Sequence, residues 1–180
     1  MFKKHLVIFI FCFFNINILI ADTHNLYFDA ETRKIIKKHL SDYKVVGKAN
    51  YSFLIWNIYD ATLVTKSGKF NDDEFVLVLK YNKVIKKERL VDETINEFKK
   101  QKEFKEEYLN NLRQIFNKTF KKTKINSVFV GIKINKQAYL YFEGEEVFKT
   151  NDKKFINYFF NIWLREDSQN PSFTKKLLGR

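Results

Sequence analysis

The 180 residues carry 45% hydrophobic and 17% aromatic side chains, too much apolar surface for a disordered chain and enough for one packed core. The formal charge is +12, but 28 of the 33 basic residues are Lys and they alternate with Asp and Glu, whereas specific reading of nucleic acid favours the Arg fork, so a nucleic-acid partner is not expected. Cys12 is the single cysteine and falls in an N-terminal apolar run, so the remaining chain has no thiol for a disulfide, a nucleophile or a metal site.

Met1 to His5 is short and basic, and Leu6 to Ile20 is uncharged and rich in Phe and Ile, which reads as a secretory signal over residues 1–21. Leu6 to Ala21, interrupted by Asn15 and Asn17, is shorter than the roughly 20 apolar residues that span a bilayer. Residues 22–180 then form one exported domain, periplasmic or secreted. Its 31 basic and 21 acidic side chains leave +10, a surplus that suits weak contact with an anionic membrane surface.

Ala30 to Leu40 places Ile35, Ile36 and Leu40 at helical spacing. Two strands follow, about Val45 to Leu54 and Trp56 to Val64, closed by the turn Lys66-Ser67-Gly68-Lys69. Phe75, Leu77, Leu79 and Tyr81 alternate with Val76, Val78 and Lys80, a third strand. Leu90, Val91, Thr94, Ile95 and Phe98 then take helical spacing, and Phe104, Tyr108, Leu112, Ile115 and Phe116 repeat it. Ser127 to Lys133, Gln137 to Phe142 and a short piece at Val147 and Phe148 read as a meander. Asn151 or Asp152 can cap a helix with the stripe Phe155, Phe159, Ile162 and Trp163, and Asn170, Pro171 and Gly179 frame a last helix. Grouped strands favour an α+β fold, an antiparallel sheet packed by helices, over a doubly wound one.

In these segments the chain resembles the chalcone-isomerase-like family, specifically its exported bacterial branch. The similarity lies in Gly47 to Leu63 with Trp56 and Tyr59-Asp60-Ala61, in Phe75 to Ile85, in Thr94-Ile95-Asn96-Glu97, in Phe155 to Leu164, and in Asn170-Pro171 and Leu177-Leu178-Gly179. The resemblance implies an open-faced β-sandwich with a mostly apolar cleft between sheet and helices. That family includes flavanone-forming plant enzymes, fatty-acid-binding relatives and exported members without an assigned reaction, so fold alone does not settle function.

Ring closure in the enzymes needs a cationic Arg at the phenolate and hydroxyls that polarise the carbonyl through water. Where they carry a Phe-Thr pair, this chain has Phe53-Leu54. Ser41 to Ser52 offers Lys44 and Lys48 but no Arg, and Lys86 to Lys100 has Asn96 but no Tyr. No catalytic residue is assigned.

His24 and His39 lack a second ligand at helical spacing and read as surface imidazoles; no cofactor is expected, haem being the one considered. Asn71 to Glu74 and Glu143 to Glu146 read as solvated acidic turns, and Asp60 as a residue that fixes a loop. Trp56, Tyr59, Tyr81, Phe98 and Trp163 are the aromatics expected nearest the cleft, and Trp56→Ala or Phe98→Glu is expected to remove a ligand without unfolding the chain. The first function expected is non-catalytic binding of a small apolar or amphipathic molecule, fatty-acid-like or isoprenoid-like. The alternatives are an isomerase or lyase using Tyr59, Tyr81 and a Lys, which requires a shifted pKa in the cleft, and a scaffold subunit of an envelope complex, which requires an exposed apolar patch.

Overall fold

The computed structural model describes residues 27–168 and 170–180, so the segment expected to be a signal and His24 lie outside the described residues. Six antiparallel strands pair in sequence order, β1 (Lys44–Phe53), β2 (Trp56–Thr65), β3 (Phe75–Tyr81), β4 (Val128–Ile134), β5 (Gln137–Phe142) and β6 (Glu145–Thr150). The helices are α1 (Ala30–His39), α2 (Lys87–Gln101), α3 (Glu106–Thr119), α4 (Lys153–Leu164) and α5 (Pro171–Leu177). This is the expected α+β architecture, an antiparallel sheet packed by helices.

Strand period decides which face each side chain serves. On β3, Phe75, Leu77, Leu79 and Tyr81 point into the larger core with α2 to α5, and Val76 and Val78 point into a second core. That second core is closed by α1, whose Ile35 and Ile36 join Val64, Val130 and Ile132. The sheet is therefore covered at its centre on both sides, and β3 is buried on both faces.

Capping chemistry sets the helix ends. The Asp29 carboxylate accepts from Thr32 N at 2.7 Å, Asp152 from Lys154 N at 2.8 Å, and Asn170 Oδ1 from Phe173 N at 3.1 Å. Pro171 opens α5 and Gly179, at φ +71°, closes it. The acidic turns also bind inward: Glu143 accepts from Val128 N at 2.9 Å, and Asp72 pairs with Lys133 at 3.1 Å.

The β2–β3 pairing ends at Tyr59 opposite Tyr81, so the end of the β1–β2 hairpin runs on past its neighbour. Its turn holds Leu54 at φ +54°, a left-handed conformation that costs a leucine about 1–2 kcal/mol. Asp60 braces this hairpin, accepting from Asn50 Nδ2 at 2.5 Å and Asn57 Nδ2 at 2.9 Å. Burial opposes ionisation of Asp60, but hydrogen bonds from Asn57 and Asn50 outweigh it and hold the carboxyl below its ordinary value. Asp60 is thus a loop fixer, as its place in the sequence suggests.

Candidate functional site

Two hollows lie between sheet and helices. The first is about 40 Å³, room for roughly three waters. Its sheet wall is Leu79, Tyr81, Phe129 and Phe142, and its helix wall is Leu90 and Thr94 of α2 with Phe159 and Trp163 of α4. Phe120 and Lys121, just past α3, complete it. The apolar cleft that the resemblance implies is nearly filled, because the phenylalanines of sheet and helices meet inside it: Phe120 lies edge-on to Phe129 at 6.3 Å, and Phe129 is tilted against Phe159 at 6.3 Å.

Of the five aromatics singled out in the sequence, three come together here. Tyr81 and Trp163 line the hollow. Tyr59 stands beside them, its hydroxyl accepting from Trp163 Nε1 at 3.0 Å and its ring 5.8 Å from Tyr81. Tyr51 stacks on Tyr59 at 5.0 Å, and Phe173 of α5 meets both edge-on. Burial pushes the Tyr59 hydroxyl well above its ordinary value against the opposing Trp163 hydrogen bond, and burial alone raises Tyr81. Both phenols are un-ionised at neutral pH. A shifted pKa is present in the cleft, but its direction removes a base rather than creating one.

The other two stand elsewhere. Trp56 is exposed at the protruding hairpin end, and Lys83 Nζ lies 4.1 Å from its ring centroid. Phe98 is fully buried between α2, α3 and α4, against Phe104, Phe116 and Phe155. Leu54 is in the turn and not at the cleft. The replacement of a hydroxyl at that position therefore says nothing about the cleft's lining. Asn96 is exposed on α2. Leu90 and Thr94 were visible in the sequence as part of the apolar stripe of α2, but Lys121 had no signal beyond its lysine neighbours.

The second hollow is a trough of about 430 Å³, within the range of small-molecule sites. Its floor is Leu112, Ile115, Phe148 and Phe155, and its margins are polar, with Asn111, Lys118 and Asp152 among them. Tyr108 also lines it with a buried hydroxyl that has no hydrogen-bond partner, raised to about 12 by burial and by the Asp152 and Tyr158 charges.

On the opposite face His39 is not a surface imidazole. It is half-buried against Tyr139, at 4.6 Å between ring centroids, and its Nε2 is 2.9 Å from the Tyr141 hydroxyl. That hydroxyl donates to Glu146 Oε2 at 2.9 Å, so the imidazole Nε2–H is the donor to Tyr141. Burial, then Lys38, lower the His39 pKa, with Lys149 adding and Glu146 opposing. The unfolded chain takes up this proton more readily than the fold. Stability therefore falls as pH drops below the ordinary 6.5 and stops falling once pH is under the lowered folded value. His39→Gln is expected to flatten this step in the pH dependence of the thermal midpoint, and an unchanged step would assign it to other groups.

The fold is that of a chalcone-isomerase-type sheet-and-helix domain, with an aromatic cleft whose phenols are un-ionised. Among solved structures, the chain is similar to a fatty-acid binding protein of Arabidopsis thaliana, with a TM-score of 0.55 and 13% identity, over 77% of this chain and 87% of that one. At that identity the likeness shows the fold. No family model and no curated protein matches the chain.

Proposed function

We propose that this is an exported, non-catalytic binding protein of the chalcone-isomerase-like fold. It takes a small apolar or amphipathic molecule, fatty-acid-like, into the hollow bounded by Tyr81, Thr94 and Trp163, with Tyr59 behind them, and it uses no cofactor. The observation that carries this reading is the lining. Aromatic and aliphatic side chains surround the hollow, its phenols are held protonated, and its one charged residue is Lys121, exposed at the rim and paired with Glu145 at 3.1 Å. Such walls hold a guest by burial and leave nothing to transform it. The solved relative being a fatty-acid binding protein supports the same chemistry.

The hollow's size dictates how a guest enters. Leu90 and Phe120 are only partly buried, so they are the side chains that turn aside, and the energy of the guest's own apolar burial opposes the loss of their packing. Thr94→Phe fills the hollow from α2 and is expected to lower affinity for a fluorescent long-chain fatty acid at least tenfold while leaving the fold intact. Phe120→Ala removes a gate and is expected to raise it. Loss of binding on Ile115→Trp, in the trough beside β6, with Thr94→Phe unaffected, would place the guest in the trough and refute the assignment.

A scaffold role is favoured by one observation, the exposed apolar residues at the hairpin end.

A further inference from the structure

The described residues expose seven large hydrophobic side chains, and six of them, Phe53, Leu54, Ile55, Trp56, Val84 and Ile125, lie at one end of the sheet. Three segments bring them together. The β1–β2 turn carries the first four. The loop after β3 is tied to β2 by Asn82 N donating to Ile58 O at 2.9 Å, and the loop before β4 to the end of β3 by Asn126 N donating to Tyr81 O at 2.7 Å. Thr123 latches the two loops to each other, its hydroxyl accepting from Ile85 N and donating to Lys83 O, both at 2.8 Å.

The three segments that carry these side chains hold charges of one sign. Residues 50–57 carry none, and the loops 82–86 and 120–127 hold Lys83, Lys86, Lys121, Lys122 and Lys124 with no Asp or Glu. Glu143 and Glu145, in the β5–β6 turn at the same end, are engaged by Val128 N–H and by Lys121.

We propose that this end of the molecule is a membrane-docking tip, inserting Leu54, Ile55 and Trp56 among the acyl chains of an anionic bilayer while the surrounding lysines contact its phosphate headgroups. Leu54 and Ile55 are 82% and 86% exposed, and Trp56 is 53% exposed with Lys83 lying over its ring. Tryptophan favours the bilayer interface, and lysine stems extend along apolar surface while their ammonium groups reach the headgroups. The turn itself argues against a purely structural origin: a two-residue hairpin turn favours Asn-Gly, yet here Leu54 occupies a left-handed conformation and Ile55 follows it. A protein partner fits less well, because six side chains fall well short of the roughly 20–30 residues that each side of a stable interface engages. A bilayer needs only a few inserted side chains and basic residues within reach of its surface.

The tip also adjoins the proposed guest site, since Phe120 and Lys121 of the hollow belong to the loop that carries Lys122, Lys124 and Ile125. Docking does not depend on that reading, however, and its failure would leave guest binding untouched.

The test uses the full chain with vesicles of phosphatidylcholine, with or without roughly a third phosphatidylglycerol, in which brominated acyl chains quench Trp56. Residues 1–21 are common to every variant, so differences between variants belong to the tip. Quenching is expected with the anionic vesicles. It should be lost in Ile55→Asp and in Leu54→Asn, the latter suited to the left-handed backbone and so not a folding defect. The Lys122→Glu, Lys124→Glu double variant should lose roughly thirtyfold in apparent affinity, about fivefold for each lysine. Equal quenching in wild type and Ile55→Asp overturns the proposal. So does the absence of quenching together with a dimer that Ile55→Asp disperses, which would give the patch to a second copy of the chain.

Discussion

Phe98→Ala is expected to destabilise the protein by about 3–5 kcal/mol, and Phe98→Glu to leave no folded protein. Phe98 ends the buried stripe Val91, Ile95, Phe98 of α2 and has no exposed surface. Its ring lies 6.0 Å from Phe116 and 6.4 Å from Phe155, so it is where α2, α3 and α4 meet. Truncation leaves a void walled by rings too rigid to collapse into it, and a carboxylate there has no partner. The sequence-based expectation that Phe98→Glu would empty the site and spare the fold is therefore reversed. Urea denaturation of Phe98→Ala checks the magnitude, and a shift under 1 kcal/mol would mean that the three-helix junction repacks freely.

The second large effect is expected at Gly47. A β-carbon there would stand 2.2 Å from the Lys176 carbonyl oxygen and 2.5 Å from that of Leu177, both backbone atoms at the end of α5 that cannot rotate away. Gly47 follows a register shift in β1, and this local irregularity lets the helix end settle directly on the strand. Gly47→Ala should cost about 1–3 kcal/mol as overpacking, at the upper end of that range because the clash is with main chain. The loss should be local as well as global. α5 places Phe173 against Tyr51 and Tyr59, and Thr174 Oγ1 donates to Trp163 O at 3.1 Å. Its loosening uncovers the aromatic cluster, so amide exchange at Leu177 and Leu178 should accelerate more than exchange on β4. Uniform acceleration would contradict this docking account.

The strands and helices were legible because their periods are unbroken. The alternation of Phe75 to Tyr81, the stripe Leu90 to Phe98 and the Asn170-Pro171 opening of α5 are local patterns, and local geometry follows from them. What was not legible depends on neighbours distant in sequence. His39 becomes half-buried because α1 folds across the sheet onto Tyr139 and Tyr141, some hundred residues away. Trp56 and Phe98 have the same aromatic character as Tyr59 and Tyr81, but β2 outruns β3 at one of them and three helices converge on the other. The candidate site divided accordingly: Tyr59, Tyr81 and Trp163 come together at the hollow, while Lys121 and the near-filling of the hollow depend on packing that no sequence period encodes.

If the hollow takes a guest as proposed, it enlarges only as far as Leu90, Phe120 and the α2 backbone give way. Binding should therefore also raise thermal stability, since only the fold offers these walls.

Native mass spectrometry of the protein purified from the cells that make it tests the central claim most directly. The account predicts a folded chain carrying one apolar molecule, with the adduct lost in Thr94→Phe and retained in Ile55→Asp. A folded chain that is consistently empty, and that stays empty when offered long-chain fatty acids, would contradict it.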